Sequence, residues 1–188
     1  MDNTSIVYRL HPGGEDIRQQ GFSLIELLIV IMLIGIIGLI VGPQFSSMVS
    51  KTRLNEAAGE LVSGLQFAAN LAVTHQRPFG VKASAVENWF RVFDEQYKLD
   101  PNPHHNGDPP VDAYGVVLNP FDKKWYEKDF DTMGNYVGVK ITSAPAGDET
   151  LFYPDGHSGI TDSTYVLECA GKQKTIKIDG FTGRIWVN

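Results

Sequence analysis

Residues 22–41 read FSLIELLIVIMLIGIIGLIV, and Ser23 and Glu26 are the only polar side chains in the run. A helix rises about 1.5 Å per residue, so this stretch is about 30 Å long, the thickness of a bilayer's hydrocarbon core. A secretory signal peptide would carry a shorter apolar core, about 7–15 residues, closed by a small-residue cleavage site. Here the run passes straight into Gly42 and Pro43. The reading is therefore a membrane-spanning helix. Glu26 sits only five residues into the run. Insertion scales assign about 2.5–3.5 kcal/mol to an Asp at the centre of a span, and less near an end. Two accounts stay open: Glu26 reaches back to the interface, or it has a cationic partner.

The rest of the chain is unlike this stretch. The whole chain of 188 residues amounts to about one domain, with 43% hydrophobic and 20% charged side chains. The mean hydropathy of −0.13 looks soluble only because it averages the apolar run with a polar remainder. The formal charge is −6, which speaks against a general nucleic-acid-binding surface. One cysteine, Cys169, excludes an internal disulfide and any cysteine-rich metal site. The polar residues Arg18, Gln19 and Gln20 lead to Gly21, which abuts Phe22. That arrangement suits a protease working at the cytoplasmic face of the membrane.

Gly21-Phe22-Ser23-Leu24-Ile25-Glu26-Leu27-Leu28 closely resembles the prepilin motif of type IV pilins and type II secretion pseudopilins. The resemblance implies that prepilin peptidase cuts after Gly21 and that Phe22, the new N-terminus, is N-methylated. It also implies that Glu26 neutralises the terminal amine of a neighbouring subunit, an assembly salt bridge that would supply the missing cation. Residues 1–21 are then a leader to be left out of the fold. They hold Arg9 and Arg18 against Asp2, Glu15 and Asp16, so the remainder stays acidic.

Beyond the apolar run, Gly42 and Pro43 interrupt the helical pattern, since proline lacks a backbone donor and crowds the preceding turn. A helix bend is expected there. Periodicity then resumes. Leu54, Ala58, Leu61, Leu65, Ala68 and Ala72 recur at spacings of four and three and form one apolar stripe. Arg77-Pro78 stops it, so the long helix is expected over 22–76. From residue 79 onward the pattern is β. Strands are expected at 79–82, 89–93, 114–118, 125–130, 136–142, 150–153, 165–169, 174–178 and 184–187. Turn residues at 154–156, 170–172 and 179–183 separate several of them, and the Pro/Asp/His-rich run 100–112 is a loop. The expected organisation is a leader over 1–21, a transmembrane and assembly helix over 22–42, its amphipathic continuation over 43–78 and a β-rich domain over 79–188. This is an α+β, pilin-like fold, with the long helix packed on an antiparallel β-rich domain.

The helix 57–75, the Pro-Asp-Gly of Leu151–Gly156 and the closing DGFTGRIWV of 179–187 look like the GspH/FimT family. That resemblance implies a minor pseudopilin of a type II secretion system, or alternatively a minor type IV pilin acting in assembly, adhesion or DNA uptake. The implied place is the inner membrane, crossed once, with the globular domain in the periplasm. Partners would be other pseudopilin or pilin subunits, prepilin peptidase, the inner-membrane assembly platform and lipid, with no nucleic acid. Relatives that take up DNA depend on clustered C-terminal cations. Here the last turn offers Arg184 alone, after Lys172, Lys174 and Lys177, on an acidic domain.

Other chemistry is set aside on spacing. His104 and His105 with Asp100, Asp108 and Asp112 fit no compact zinc pattern. Asp122, Asp129 and Asp131 lack the order of an EF-hand loop. No cofactor and no metal are expected, with calcium alone left open. His157-Ser158 beside Asp155 reads as a turn, since no G-x-S-x-G elbow occurs. No phosphate-binding glycine loop is present, and the chain is not expected to be an enzyme.

Overall fold

The computed structural model describes residues 22–98, 115–159 and 161–188, and the side chains of all of these but 40–44. The chain divides into two compact units at Gly42/Pro43. One long helix, α1 (Leu24–His75), contributes to both. The bend expected at Gly42 and Pro43 lies outside the residues whose side chains are described.

The first unit is the apolar part of α1. Its large apolar side chains from Phe22 to Leu39 are between 46% and 83% exposed, so nothing within the unit covers them. Among the described residues, no helix is long and apolar enough to cross a membrane. The expected span runs to Val41, beyond Leu39, the last described side chain of that stretch.

In the second unit, α1 packs on a domain with eight strands among its described residues. These are β1 (Phe79–Ser84), β2 (Trp89–Asp94), β3 (Glu127–Asp129), β4 (Val139–Ser143), β5 (Glu149–Phe152), β6 (Ser163–Cys169), β7 (Lys172–Ile178) and β8 (Ile185–Val187). They form two antiparallel sheets, ordered β3-β2-β1-β5 and β4-β6-β7-β8. All six stripe residues of α1 are buried, with Ala57 beside them, in one core with Phe79, Phe90, Phe152, Tyr165 and Ile176. Gly64 lets the helix settle onto β2: a Cβ there would lie 2.8 Å from Cε2 of Phe90. The helix ends when Gln76 turns left-handed (φ 54°) and Arg77-Pro78 forbids another turn.

Two polar bridges tie the sheets together. The Tyr165 hydroxyl on β6 hydrogen-bonds with the Thr150 hydroxyl (2.9 Å) and lies within donating distance of the Val81 carbonyl (3.3 Å), both in the first sheet. Asn88, in the β1–β2 turn, donates from Nδ2 to the Val139 carbonyl (2.9 Å) and accepts the Ile141 N–H (2.8 Å). Its side chain thus acts as a short piece of strand along the free side of β4.

Three expected strands are shorter than the pattern suggested. Within the described part of 114–118, pairing shrinks to bridges at Val116 and Leu118. Over 125–130 only Glu127–Asp129 is a ladder, because the Asp129 carboxylate accepts the Asp131 N–H and turns the chain. Over 136–142 the chain first makes a tight turn at Gly134–Tyr136. It then needs Gly138 at φ 85°, so β4 starts at Val139.

Candidate functional site

The start of α1 is built by its own side chains. Ser23 is the cap: its Oγ accepts the Glu26 N–H (3.3 Å), and its carbonyl accepts the N–H groups of Glu26 (3.1 Å) and Leu27 (3.2 Å). A helix leaves its first backbone donors without intrahelical partners, and a serine cap satisfies one of them. Glu26 lies in the first turn, where the positive end of the helix dipole favours a carboxylate. The Ser-x-x-Glu spacing is that of a capping box, a signal in the sequence that reading Glu26 only as an assembly residue passes over. Phe22 stands directly before the cap, 80% exposed. Phe22, Ser23 and Glu26 therefore lie within the first turn and its approach. A residue 22 with a free amine would lie next to this acidic, capped turn.

From Leu24 to Leu39, Glu26 apart, the site presents apolar side chains all round, interrupted at Gly35 and Gly38, where an added Cβ would meet nothing within 4 Å. A helix that is apolar on every side is stable only when lipid or protein covers it. Each large side chain gains about 1.5–3 kcal/mol on leaving water. An uncovered apolar surface of this kind favours association with other apolar groups.

The other residues singled out in the sequence fall as follows. Gly21 lies outside the described residues. So do Asp100, His104, His105, Asp108 and Asp112. Asp122, Asp129 and Asp131 each hold local structure. Asp122 accepts the Lys124 N–H (3.1 Å), Asp129 caps the turn at Asp131, and Asp131 binds Lys140 Nζ (2.7 Å) and Asn88 Nδ2 (2.8 Å). The Lys140 bond, with help from Asn88, holds the Asp131 carboxyl below its usual range. No group of three or more potential metal ligands occurs among the described residues.

Asp155 and His157 do meet, Nδ1 to Oδ1, and that hydrogen bond lowers the Asp155 pKa. His157 also stacks on Tyr153, with ring centroids 4.3 Å apart. The Ser158 hydroxyl, however, donates to the Asp179 carbonyl (3.1 Å), so the three do not line up as a catalytic relay. Cys169 is a buried free thiol. The four C-terminal cations form no single patch. On β7, Lys172 and Lys174 share one face and Lys177 takes the other. Lys172 reaches back to the Ser47 carbonyl (2.8 Å).

The most deeply held charge lies elsewhere, at the junction of helix and sheet. Arg77 pairs with the fully buried Asp94 (2.7 Å) and lies over the rings of Phe79 and Tyr97. Burial raises the Asp94 pKa, opposed by the charge of Arg77 and the Gln96 N–H bond. This pair locks the helix exit and is structural.

Comparison with known proteins bears on the same N-terminal element. Residues 17–42 match the prokaryotic N-terminal methylation motif. A fimbrial protein of Pseudomonas aeruginosa is 35% identical over 83 residues, which is 44% of this chain and 53% of that one. The chain spans about half the length of the curated relatives it matches. Two solved structures are similar at low identity. The type IV minor pilin FimU of Pseudomonas aeruginosa is 18% identical, covering 75% of this chain and 92% of its own, with a TM-score of 0.48. The minor pseudopilin EpsH of the Vibrio cholerae Type 2 Secretion System is 12% identical, covering 72% and 96%, also with a TM-score of 0.48.

Proposed function

We propose that this chain is a minor pseudopilin of a type II secretion system: a non-catalytic subunit of a short periplasmic filament that helps move folded proteins across the outer membrane. The observation that carries the reading is the uncovered apolar helix behind Gly21, with Glu26 in its first turn and the methylation motif matched over the same residues. In this account, prepilin peptidase cuts after Gly21 and Phe22 is methylated. The helix stays in the inner membrane until the assembly platform draws the subunit into the filament, with the β-rich head in the periplasm.

Assembly replaces lipid around 22–41 with neighbouring helices, so little hydrophobic energy is gained between the two states. What distinguishes them is charge. A carboxylate in an apolar surround is costly unless paired, and the Phe22 amine of the next subunit offers the pair. Glu26→Ala should therefore insert in the membrane at wild-type level but fail to enter filaments, as measured by shearing and immunoblotting. Normal incorporation would remove the proposed role of the carboxylate.

A second reading, a minor pilin of a type IV pilus, is favoured by one observation: the curated relatives are fimbrial proteins. The helix chemistry is the same in both. Genomic neighbourhood separates them, since a secretion operon supports the first and a pilus operon the second.

A further inference from the structure

In the second unit the described side chains of α1 begin at Phe45, four residues beyond Val41. Phe45, Met48 and Lys51 follow one another at spacings of three, so each lies beside the next on the helix surface. Phe45 and Met48 are 67% and 69% exposed, so the core of the head does not cover them. Lys51 is exposed as well. An apolar run followed by an aromatic ring, a methionine and a lysine suits a chain leaving a bilayer. Aromatic rings and the stems of lysines settle at the level of the headgroups.

The fold brings a second cation to the same turn. Lys172, in the β6–β7 hairpin, donates from Nζ to the Ser47 carbonyl (2.8 Å). In a helix that carbonyl also faces the N–H of residue 51. The Lys172 ammonium is therefore placed beside the stem of Lys51. Lys98, Lys128 and Lys140 are the lysines with carboxylate partners among the described residues, and neither Lys51 nor Lys172 joins them. The acids of the adjoining strands are engaged: Asp131 by Lys140 (2.7 Å), and Glu168 by Gln173 Nε2 (2.9 Å). Glu56 lies five positions beyond Lys51, off its face of the helix. Two ammonium groups gathered in this way repel each other, and both attract an anion that enters beside them.

The connectivity of the chain favours one source for that anion. Ser47 follows Val41 by six residues, which reach at most about 20 Å in any conformation. A bilayer's headgroup layer is about 5–8 Å deep on each side, and its field extends about 8–10 Å further. With 22–41 seated in the membrane, both lysines stay within reach of that layer. Free anions have no such tether.

We propose that Lys51 and Lys172, flanked by Phe45 and Met48, bind the phosphate of an anionic phospholipid and hold the head at the bilayer surface until assembly. The ring and the thioether enter beside the lipid tails while the two ammonium groups meet the phosphate. The inference rests on the membrane-inserted state of the proposed function and deepens it, naming the class of lipid and the residues that bind it.

The test uses the full-length chain in nanodiscs of phosphatidylcholine, alone or mixed with phosphatidylglycerol. Lysines are acylated briefly with a succinimidyl ester, and the rate at each site is read by peptide mass spectrometry. Lys51 and Lys172 should react about fivefold more slowly in the anionic discs, the weight of one lysine at a charged surface. Lys177, on the other face of β7, should keep its rate. In Lys172→Gln the slowing of Lys51 should shrink to about twofold, because the two groups share one phosphate. Inorganic phosphate added to neutral discs should change neither rate. Equal rates in the two discs, full slowing of Lys51 in Lys172→Gln, or slowing by inorganic phosphate would each overturn the proposal. So would slowing that needs added pilin subunits, which would assign the two cations to a protein partner. A chain that enters neither disc overturns the membrane reading and this site with it. One that enters both and labels equally overturns the site alone.

Discussion

Arg77 and Asp94 illustrate what a single residue decides. Asp94 is fully buried, and burial raises its pKa despite the guanidinium 2.7 Å away. The folded state therefore holds that proton more tightly than the unfolded chain does. This group's contribution is fully present below the unfolded value of 3.8 and is lost as pH rises through the higher folded value. Arg77→Met would strand the carboxylate without its cation, a loss of about 3 kcal/mol at pH 7. The deficit should shrink as pH is lowered and Asp94 becomes neutral, as read from urea unfolding in detergent at several pH values. A pH-independent deficit would mean that Arg77 acts through packing on Phe79 and Tyr97 alone. The sequence marked Arg77 as a helix stop, and no local pattern linked it to Asp94. Asn88 was equally silent: its two strand-like bonds reach residues 51 and 53 positions away, a distance that no periodicity encodes.

At the scale of elements, α1 was the most legible part of the molecule. Its stripe repeats at helical spacing because one face must pack on a sheet, and each stripe residue is buried. The β-hairpins were legible where turn residues flank alternating side chains, as at Ala170-Gly171 between β6 and β7. Strand ends were less so, because an Asx turn at Asp129 and a left-handed Gly138 override β-forming neighbours. The two helical glycines Gly59 and Gly64 read alike in sequence and differ in structure. At Gly59 an added Cβ meets nothing, so Gly59→Ala should stabilise by about 0.5–1 kcal/mol through helix propensity. At Gly64 the Cβ would press on the buried ring of Phe90, which Phe130 and Tyr126 hold in place. Gly64→Ala should cost about 1–3 kcal/mol by overpacking. Denaturant midpoints of the two variants check both signs, and a shift in the same direction for both would contradict the packing described.

Taken whole, the chain joins a helix that nothing in its own unit covers to a head with its own core. Of the candidate site, the apolar run and the positions of Phe22 and Glu26 at its start were readable directly, because the methylation motif is a linear pattern. Ser23 as helix cap was not, since it was hidden inside a motif with another meaning. Processing after Gly21, as proposed, is tested most directly by the intact mass of the protein purified from membranes. It predicts a chain that begins at Phe22 and carries one added methyl group, and a full-length chain when Gly21 is replaced by Ala. A wild-type chain of full precursor mass, or an unmethylated start elsewhere, would contradict it.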